Sequence, residues 1–368
     1  MVISDVIERE IKGLWGTDFA DESNGIPVIK TNNMSYEGCI DYGEICYRNI
    51  DAESAKENYL HKGDLLVEKS GGTKTHTVGY VNHFDGDDDV FVCNNFILGL
   101  RPKKEMVNYM YLFYQLRYMY ELGMFSDCYN KTTGIQNLQV KAYLGKSIVV
   151  PNMVEQNVVV KALDTIQKAI DLKRKQLEDL DELVKSKFQE MFGDVDTNDK
   201  GFETVLGKDV FVFSSGKFLS SEKRKEEGIP VYGGNGISWF TDEALIDYPT
   251  IIIGRVGAYC GNVKMVNTPV WITDNAIFIK SFKKQVFNIR FLCQLMENAS
   301  FDKYADVVAQ PKITQKPLEN YKYIVPNIEF QEKFADYVKS VDIARKTVED
   351  ELVDLGELMD SKMDEYFG

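Results

Sequence analysis

The sequence predicts an α+β fold in which two α/β domains alternate with two long helices that form an antiparallel coiled coil. Three observations predict it. The stretch "VPNMVEQ" at 150–156 returns as "VPNIEFQ" at 325–331, a long segment without proline follows each copy, and "GIPV" occurs at 25–28 and again at 228–231. The chain is therefore expected to be a pseudo-twofold repeat of two large units.

The two helical segments correspond residue by residue. Aligned without a gap, positions 148–193 and 323–368 share 15 identities in 46 positions. The proline of each "VPN" disfavours a helical residue before it, and Gly356 is the one glycine inside the long segments that follow. Each copy therefore predicts one long helix, at 151–193 and at 326–368.

A seven-residue periodicity predicts that these helices pair with each other. Apolar residues recur at two heptad positions, with charged interruptions such as Lys173 and Arg345. About 38 residues at ~1.5 Å each would span roughly 57 Å, which is longer than a small domain is wide and disfavours a helix packed only on its own domain. The predicted seam consists of Leu163, Ile166, Ile170, Leu177, Leu180, Val184, Val338, Val341, Val348, Leu352, Leu355 and Met359.

A fainter repeat outlines the two domains. Counting back from "GIPV" aligns Gly13 with Gly216 and Trp15 with Phe218, and we expect Trp15 to be a core residue. Each copy continues into an apolar, strand-like run that enters a glycine-rich loop, "GDLLVEKSGG" and "PTIIIGRVGAYCG". The predicted domains are 1–150 and 204–325, with a linker at 194–203.

The charge is unevenly distributed along the chain. The total of 57 acidic and 43 basic residues gives a net charge of -14, which argues against nucleic acid as a partner. However, residues 204–328 contain 12 acidic and 15 basic residues, whereas residues 329–368 contain 12 and 5. A DNA-binding face on a domain is therefore not excluded, but its affinity must depend on loop geometry or on a partner.

The sequence lacks the motifs expected of a catalytic chain. The "GKS" at 145–147 is not a phosphate loop, because Val140 stands where the first glycine is required. No N-P-P-[YFW] or D-P-P-[YFW] tetrapeptide is present, so the pocket with which amino-methyltransferases hold a flipped base is missing. We therefore expect that the chain is not itself an enzyme.

Metal and membrane sites are not expected either. The six cysteines are scattered without a C-x-x-C pair, and only three histidines accompany them. No apolar run approaches the ~20 residues of a membrane helix, and the opening "MVISDVIEREIKG" is too charged for a signal peptide. The sequence thus predicts a cytoplasmic protein with no metal and no membrane contact.

These features resemble the specificity subunit of type I restriction-modification systems. The resemblance rests on the paired "VPN" helices, on their ends "LDELVKSKFQEMFG" and "LGELMDSKMDEYFG", and on domains bearing "GIPV" and "KGDLLVEKSG", and it spans nearly the whole chain. It implies two target-recognition domains that each read half of a bipartite double-stranded DNA sequence, and two helices that dock two methyltransferase subunits. It also implies no cofactor in this chain, because S-adenosylmethionine would be bound by the methyltransferase subunits, and ATP with Mg by restriction subunits. Whether two restriction subunits also bind is left open.

Candidate DNA contacts lie in the glycine-rich loops and in nearby basic segments. Arginine pairs with guanine, asparagine with adenine and small hydroxyls with either, whereas lysine contacts to phosphate position the protein without reading sequence. A merely solvated surface role is the alternative for each of them. The candidate base contacts are Lys69, Ser70, Thr73, Lys74, Thr75, His76, Tyr232, Asn235 and Arg255, and the candidate phosphate contacts are Lys131, Lys223, Arg224 and Lys225.

Two rival functions account for parts of the same pattern. A coiled-coil adaptor with two protein-binding heads would give the repeat without DNA readout. A single-chain enzyme that fused specificity to catalysis would need a methyltransferase motif, which this sequence lacks.

Overall fold

The computed structural model describes residues 1–18, 25–73, 76–132, 135–267, 269–306 and 311–368. The chain divides into two compact units. Unit 1 contains Met1–Leu172 and Leu352–Gly368, and unit 2 contains Lys173–Glu351. Each unit therefore holds one domain, part of one long helix and part of the other.

The domain of unit 1 is built on a four-stranded antiparallel sheet with the order β1-β8-β4-β6. A second sheet, β3-β2-β7, contains the "GIPV" strand, and a third has the order β5-β10-β9. The strands are β1 (Ile7–Lys12), β2 (Ile26–Ile29), β3 (Cys46–Arg48), β4 (Leu65–Glu68), β5 (Ser70–Gly71), β6 (Val81–His83), β7 (Val92–Cys93), β8 (Ile97–Pro102), β9 (Tyr129–Thr132) and β10 (Ile135–Leu138), and the helices are α1 (Ala52–Asn58), α2 (Tyr109–Glu121) and α3 (Val140–Leu144).

The first long helix, α4 (Met153–Phe192), has 40 residues and is followed by the domain of unit 2. This domain repeats the first topology, with sheets β12-β18-β15-β16 and β14-β13-β17 and a two-stranded ladder β11-β19. The second long helix, α8 (Ile328–Phe367), also has 40 residues. The remaining elements are β11 (Thr204–Leu206), α5 (Gly207–Val210), β12 (Phe211–Ser215), β13 (Ile229–Gly233), β14 (Gly236–Thr241), β15 (Thr250–Gly254), β16 (Val263–Val266), β17 (Trp271–Ile272), β18 (Ala276–Phe282), α6 (Ile289–Asn298), α7 (Gln315–Asn320) and β19 (Lys322–Ile324).

The two domains agree in register as well as in topology. Strand β2 pairs in parallel with β7, with Val28 opposite Val92, and β13 pairs in parallel with β17, with Val231 opposite Trp271. The faint "GIPV" repeat therefore marks the same strand of the same small sheet in both halves.

The alternation of side chains along the central strand explains how each main sheet is covered on both faces. In β15, Ile251 and Ile253 lie in the core next to the long helices, and Ile252 lies in a second core against the small sheet. The side chains of β4 alternate in the same way: Leu65 and Val67 lie in the core next to the long helices, and Leu66 lies in the core against the small sheet. Because side chains alternate along a strand, one apolar run supplies both cores.

The repeated "PN" of the sequence starts each long helix. The Oδ1 of Asn152 accepts hydrogen bonds from the backbone N–H groups of Val154 at 3.0 Å and Glu155 at 3.1 Å. In the second copy, Asn327 Oδ1 accepts from the N–H of Phe330 at 2.8 Å. Both helices are thus capped by the asparagine that follows the proline, since these N–H groups have no partner within the helix.

The repeated glutamine ties each long helix to its domain. Gln156 is fully buried, and its Oε1 accepts from the N–H of Asn108 at 2.8 Å. Its Nε2 donates to the carbonyls of Met106 at 3.0 Å and Pro151 at 2.8 Å. Because Asn108 is the N-cap of α2, this glutamine bridges the start of α4 and the start of the domain helix.

Gln331 makes the same three hydrogen bonds in unit 2. Its Oε1 accepts from the N–H of Asn288 at 2.8 Å, and Asn288 is the N-cap of α6. Its Nε2 donates to the carbonyls of Val286 at 3.0 Å and Pro326 at 2.8 Å. We call Gln156 and Gln331 the glutamine clamps.

The repeated "FG" at the end of each long helix packs against the same domain helix that the clamp holds. The ring centroids of Phe192 and of Phe291 on α6 are 4.7 Å apart, and those of Phe367 and of Tyr111 on α2 are 5.3 Å apart. Gly193 adopts a φ of +69° as α4 ends, which a residue with a side chain would disfavour. Each domain helix therefore contacts the beginning of one long helix and the end of the other.

The long helices run antiparallel within unit 2. Lys173 on α4 pairs with Glu351 on α8 at 2.6 Å, and Asp181, further along α4, pairs with Arg345, which precedes Glu351 on α8. Phe188 of α4 packs against Phe334 of α8 with ring centroids 5.4 Å apart. Two charged interruptions of the predicted seam, Lys173 and Arg345, thus have partners on the opposite helix, whereas Lys187 and Lys362 pair with Glu190 and Glu365 of their own helices.

All twelve residues of the predicted seam are at least partly buried. Those buried in unit 1 include Leu163 and Ile166, and those buried in unit 2 include Val341 and Val348. The remaining six are half-buried: Leu177, Leu180, Val338, Leu352, Leu355 and Met359. These exposures agree with the seam, and its individual pairings stay a prediction.

The glutamine clamps generate a stability prediction. Gln156→Ala or Gln331→Ala should lower the free energy of unfolding by about 2–4 kcal/mol, because each change leaves one buried N–H and two carbonyls without their partner. Gln189→Ala, at an exposed position of α4, should change it by less than about 0.5 kcal/mol. Denaturant unfolding of the three variants measures this, and equal losses in all three would contradict the clamp.

Candidate nucleic-acid interface

A tight turn at the end of the first strand is common to both domains. Gly13 follows β1, and a Cβ atom there would lie 2.0 Å from the carbonyl oxygen of Asn94. Gly216 follows β12 in the same way, and a Cβ there would lie 2.1 Å from the carbonyl oxygen of Thr273. Glycine is required because backbone approaches backbone at this point. The turn brings the end of the first strand against the segment that leads into β8 in unit 1 and into β18 in unit 2.

A cleft with several cationic side chains opens beside this turn in unit 1. It has a volume of about 420 Å³ and lies between the end of β1, the residue that follows β4, the start of β8, and α3. Lys12, Lys69 and Lys141 line it together with the carboxylate of Glu10. We call this cleft 1.

A corresponding cleft occurs in unit 2. It has a volume of about 350 Å³ and lies between the end of β12, the residue that follows β15, the start of β18, and α7. Arg255 and Lys316 line it together with the carboxylate of Glu319. We call this cleft 2.

Lys69 and Arg255, both predicted from the sequence as DNA contacts, occupy equivalent positions in the two clefts. Glu68 ends β4 opposite Ile97 of β8, and Gly254 ends β15 opposite Ala276 of β18. The residue that directly follows is Lys69 in the first case and Arg255 in the second. The N–H of Lys69 donates to the carbonyl of Phe96 at 2.7 Å, and that of Arg255 donates to Asn275 at 2.8 Å. The sequence pattern marks each residue in its own glycine-rich loop, and the fold shows that the two positions are equivalent.

The glycine-rich loop of unit 1 is fixed by side-chain hydrogen bonds. Ser70 Oγ donates to Asn137 Oδ1 at 2.5 Å, which joins the loop to β10. Gln136 Oε1 accepts from the N–H of Val78 at 3.2 Å, and its Nε2 donates to the carbonyl of Thr73 at 2.9 Å. Ser70 and the carbonyl of Thr73 are therefore each tied to β10 by a hydrogen bond.

An exposed aromatic pair accompanies this loop. The exposed ring of His76 lies 4.1 Å from that of Tyr36, which is 54% exposed. Next to them, burial raises the pKa of the Glu68 carboxyl, and the hydrogen bond from the N–H of Gly72 partly opposes that rise. Lys74 and Thr75, also predicted as contacts, lie outside the described residues.

In unit 2, the candidate residues come together through two glycines. A Cβ on Gly254 would lie 2.8 Å from the carbonyl oxygen of Gly234, so the β13–β14 turn rests against the end of β15. Asn235 is exposed in this turn, and Arg255 is half-buried, with its Nη1 donating to the carbonyl of Asp274 at 3.3 Å. Tyr232 is half-buried, and burial raises the pKa of its hydroxyl.

The predicted phosphate contacts are less free than the sequence suggested. Lys223 pairs with Glu243 at 2.5 Å, and Lys225 pairs with Asp242 at 3.2 Å. Arg224 is exposed between them, and Lys131 lies in β9, although its side chain is outside the described part of the structure. The two paired lysines must exchange an existing carboxylate partner before they can contact phosphate, and all four assignments stay predictions.

Several residues near the clefts were not selected from the sequence. Lys12, Lys141 and Lys316 sit at strand ends or in short helices, which have no periodicity to mark them. The expectation that Trp15 is a core residue is wrong, because it is 36% exposed and has the guanidinium of Arg48 4.2 Å from its ring centroid. The signal for the lysines was available in the repeat, since Lys141 and Lys316 are 175 positions apart, like the two "VPN" copies.

Within the described residues, no three His, Cys, Asp or Glu side chains are grouped so that they could hold a metal ion. Among the helices described, none is both long and apolar enough to span a membrane.

Comparison with known proteins identifies the family. The model of the type I restriction modification DNA specificity domain matches residues 2–182 and 199–353. The chain belongs to this family. Its two matched segments are two specificity domains in tandem, and the specificity-subunit assignment that the repeated helices indicated is confirmed at the level of the family.

Curated relatives carry the same designation. Over 137 residues the chain is 31% identical to the specificity subunit of the type I restriction enzyme EcoprrI of Escherichia coli, a match covering 36% of this chain and 33% of that protein. It is 24% identical to the putative MjaX specificity subunit of Methanocaldococcus jannaschii, covering 92% of this chain and 85% of that protein. The chain thus spans a third of the first relative and most of the second.

Solved structures support the fold. The S subunit of a type I restriction-modification system from M. genitalium superposes with a TM-score of 0.59 at 18% identity, covering 100% of this chain and 95% of that one. A chain from a structure concerned with complex assembly of the type I R-M system superposes with a TM-score of 0.54 at 14% identity, covering 99% of this chain and 96% of that one. The predicted fold class, two α/β domains with two long helices, is therefore confirmed.

Proposed function

We propose that this chain is the DNA-specificity subunit of a type I restriction-modification complex and that each specificity domain binds one half of a bipartite double-stranded DNA target. The observation that carries the proposal is the recurrence of a cationic cleft at the same place in both domains. Two similar readers in one chain suit a target made of two separate half-sites, as repeated DNA-binding units suit repeated half-sites in other proteins.

The overall acidity of the chain is compatible with this function. Much of the acidity belongs to α8 rather than to the clefts, since residues 329–368 contain 12 acidic and 5 basic residues. Clefts 1 and 2 each contain more cations than carboxylates. A coiled-coil adaptor without DNA readout would leave this repeated placement of charge without a role.

Catalysis is assigned to partner subunits. In this proposal methyltransferase subunits bring S-adenosylmethionine, restriction subunits bring ATP and Mg, and this chain selects the sequence on which they act. A structurally similar chain comes from a structure concerned with complex assembly of the type I R-M system, which supports an enzyme assembled from several subunits.

A docking surface for the methyltransferase subunits is suggested by the long helices. Leu183 is 50% exposed and Leu358 is 44% exposed, and they occupy the same position in the two helix copies. Exposed apolar residues at other helix positions, such as Leu172 at 69%, have no identical counterpart 175 residues away. The residues that are exposed in both copies and identical around this leucine are Asp179 and Asp354, Glu182 and Glu357, and Ser186 and Ser361.

Retention of the same exposed side chains in both helices indicates a shared contact. Two neighbouring core positions differ, since Val184 corresponds to Met359 and Phe188 to Met363, whereas the seam residues Leu177 and Leu180 are retained as Leu352 and Leu355. An exposed leucine bordered by carboxylates is poorly explained by folding, because it does not add to either core. We assign this repeated face to two copies of the same methyltransferase subunit, one on each.

The function is tested by reconstitution with the methyltransferase subunit of the same type I system. Methyl transfer from S-adenosylmethionine to DNA should require both proteins, and sequencing of the products should give one bipartite target. Methylation of the same sites by the methyltransferase alone would contradict target selection by this chain. Methyl transfer by this chain alone would contradict its assignment as the non-catalytic subunit.

The docking face is tested with Leu183→Lys and Leu358→Lys together. Loss of two exposed apolar contacts should weaken binding of the methyltransferase subunit by more than about tenfold and leave the melting temperature unchanged. Leu172→Lys introduces the same charge at a more exposed leucine that lacks a counterpart, and it should bind normally. Equal binding by the double variant and the Leu172 variant, measured by titration calorimetry, would refute the assignment.

A further inference from the structure

We propose that Lys141 and Lys316 are equivalent contacts to DNA backbone phosphates, each acting with the cation on the facing strand, Lys69 in cleft 1 and Arg255 in cleft 2. The inference rests on the proposed function and names residues for it that the sequence analysis did not select. Four observations support it: the equivalent placement of the two lysines, their identity in both copies, the lack of carboxylate partners among the described residues, and the open shape of the clefts.

The placement of the two lysines is the same in both domains. Lys141 lies in α3 and Lys316 in α7, the short helices that close the clefts. Opposite each helix, the cleft is bounded by the start of the equivalent strand, with Leu98 of β8 in one and Ile277 of β18 in the other. In each domain, the fold thus places one cation from a strand end and a second cation from a helix on the same concave surface.

Retention of the lysine stands out against the divergence around it. Positions 135–149, the fifteen residues before the first "VPN" valine, share a single identity with positions 310–324, and it is Lys141 with Lys316. Several nearby residues change class, since Ala142 corresponds to Pro317 and Leu144 to Glu319, whereas buried Tyr143 corresponds to the apolar Leu318. Lys141 and Lys316 are both exposed, and their shared place in the clefts carries the inference more than this single identity does.

The cleft cations lack carboxylate partners among the described residues, although Arg255 Nη1 donates a hydrogen bond to the carbonyl of Asp274. Across the described residues, Lys69, Lys141, Arg255 and Lys316 form no ion pair with a carboxylate. Lys223 and Lys225, by contrast, are held by Glu243 and Asp242. Contacts made by unpaired, exposed ammonium groups have no existing ion pair to break when phosphate arrives.

The shape and the chemistry favour a phosphodiester backbone over a small ligand. Both clefts are open at the surface and offer two or three cations. Cleft 2 has one apolar lining side chain, Ile277, unlike a small-molecule pocket, whereas cleft 1 is also lined by apolar residues such as Ile97 and Leu98. A lysine ammonium is a compact point charge on a flexible stem, which suits a phosphate oxygen and does not select one base. These lysines would therefore position each domain on DNA, and the loop residues beside them would read bases.

The test is the salt dependence of DNA binding by the assembled complex with its methyltransferase subunits. Each lost phosphate contact should reduce the slope of log affinity against log salt by ~0.9, so Lys141→Ala with Lys316→Ala should reduce it by ~1.8. Affinity should fall by a similar factor for a duplex carrying the methylated target and for an unrelated duplex. Lys141→Arg with Lys316→Arg should retain the slope.

Matched controls separate this inference from the proposed function. Lys56→Ala and Lys284→Ala remove one exposed lysine from each domain, outside the clefts, and should leave the slope unchanged. If the wild-type complex binds DNA but the Lys141 and Lys316 double variant keeps its slope, the phosphate contacts are refuted while the function stands. If the wild-type complex does not bind DNA, both the proposed function and this inference are refuted. If the double variant fails to assemble with the methyltransferase subunits, the lysines are assigned to a protein contact instead of a DNA contact.

Discussion

The buried glutamine clamp is the interaction on which the organisation of both units depends. One side chain satisfies the N-cap residue of a domain helix, a carbonyl of the loop before it, and the proline carbonyl at the start of a long helix. An amide offers an acceptor oxygen and two N–H donors on one group, so an ionised carboxylate or an apolar residue cannot replace it. The same geometry at Gln156 and Gln331 gives two different domains the same attachment to their helices.

This attachment explains how two different domains of one chain can be joined to similar long helices. The clamp uses backbone groups of the domain, whereas Phe192 packs against Phe291 of α6 and Phe367 packs against both Tyr111 and Tyr118 of α2. The attachment therefore requires aromatic side chains of the domain helices as well as backbone groups. The loops and clefts at which we place DNA contacts can change without disturbing the connection to the helices.

The sequence predicts the helices well because their signals are local and repeated. The proline and asparagine before each helix, the heptad pattern and the terminal glycine act within a few residues, and all are visible twice. The role of Gln156 was not predictable, because it depends on which backbone groups of the domain lie opposite. The clefts were missed for the same reason: Lys141 and Lys69 are 72 positions apart and meet only after the sheet forms. The ion pairs of Lys223 and Lys225 likewise depend on a neighbouring strand that sequence distance does not reveal.

The central claim is that each unit carries an independent reader on a common attachment, and an exchange of one domain tests it most directly. Residues 204–325 would be replaced by the second specificity domain of another member of the family, with the clamp and both long helices kept, and the methylated sites of cells that express the chimera with its methyltransferase would be sequenced. The account predicts that one half of the target changes and the other half stays the same. A chimera that assembles with the methyltransferase but changes both halves would contradict it.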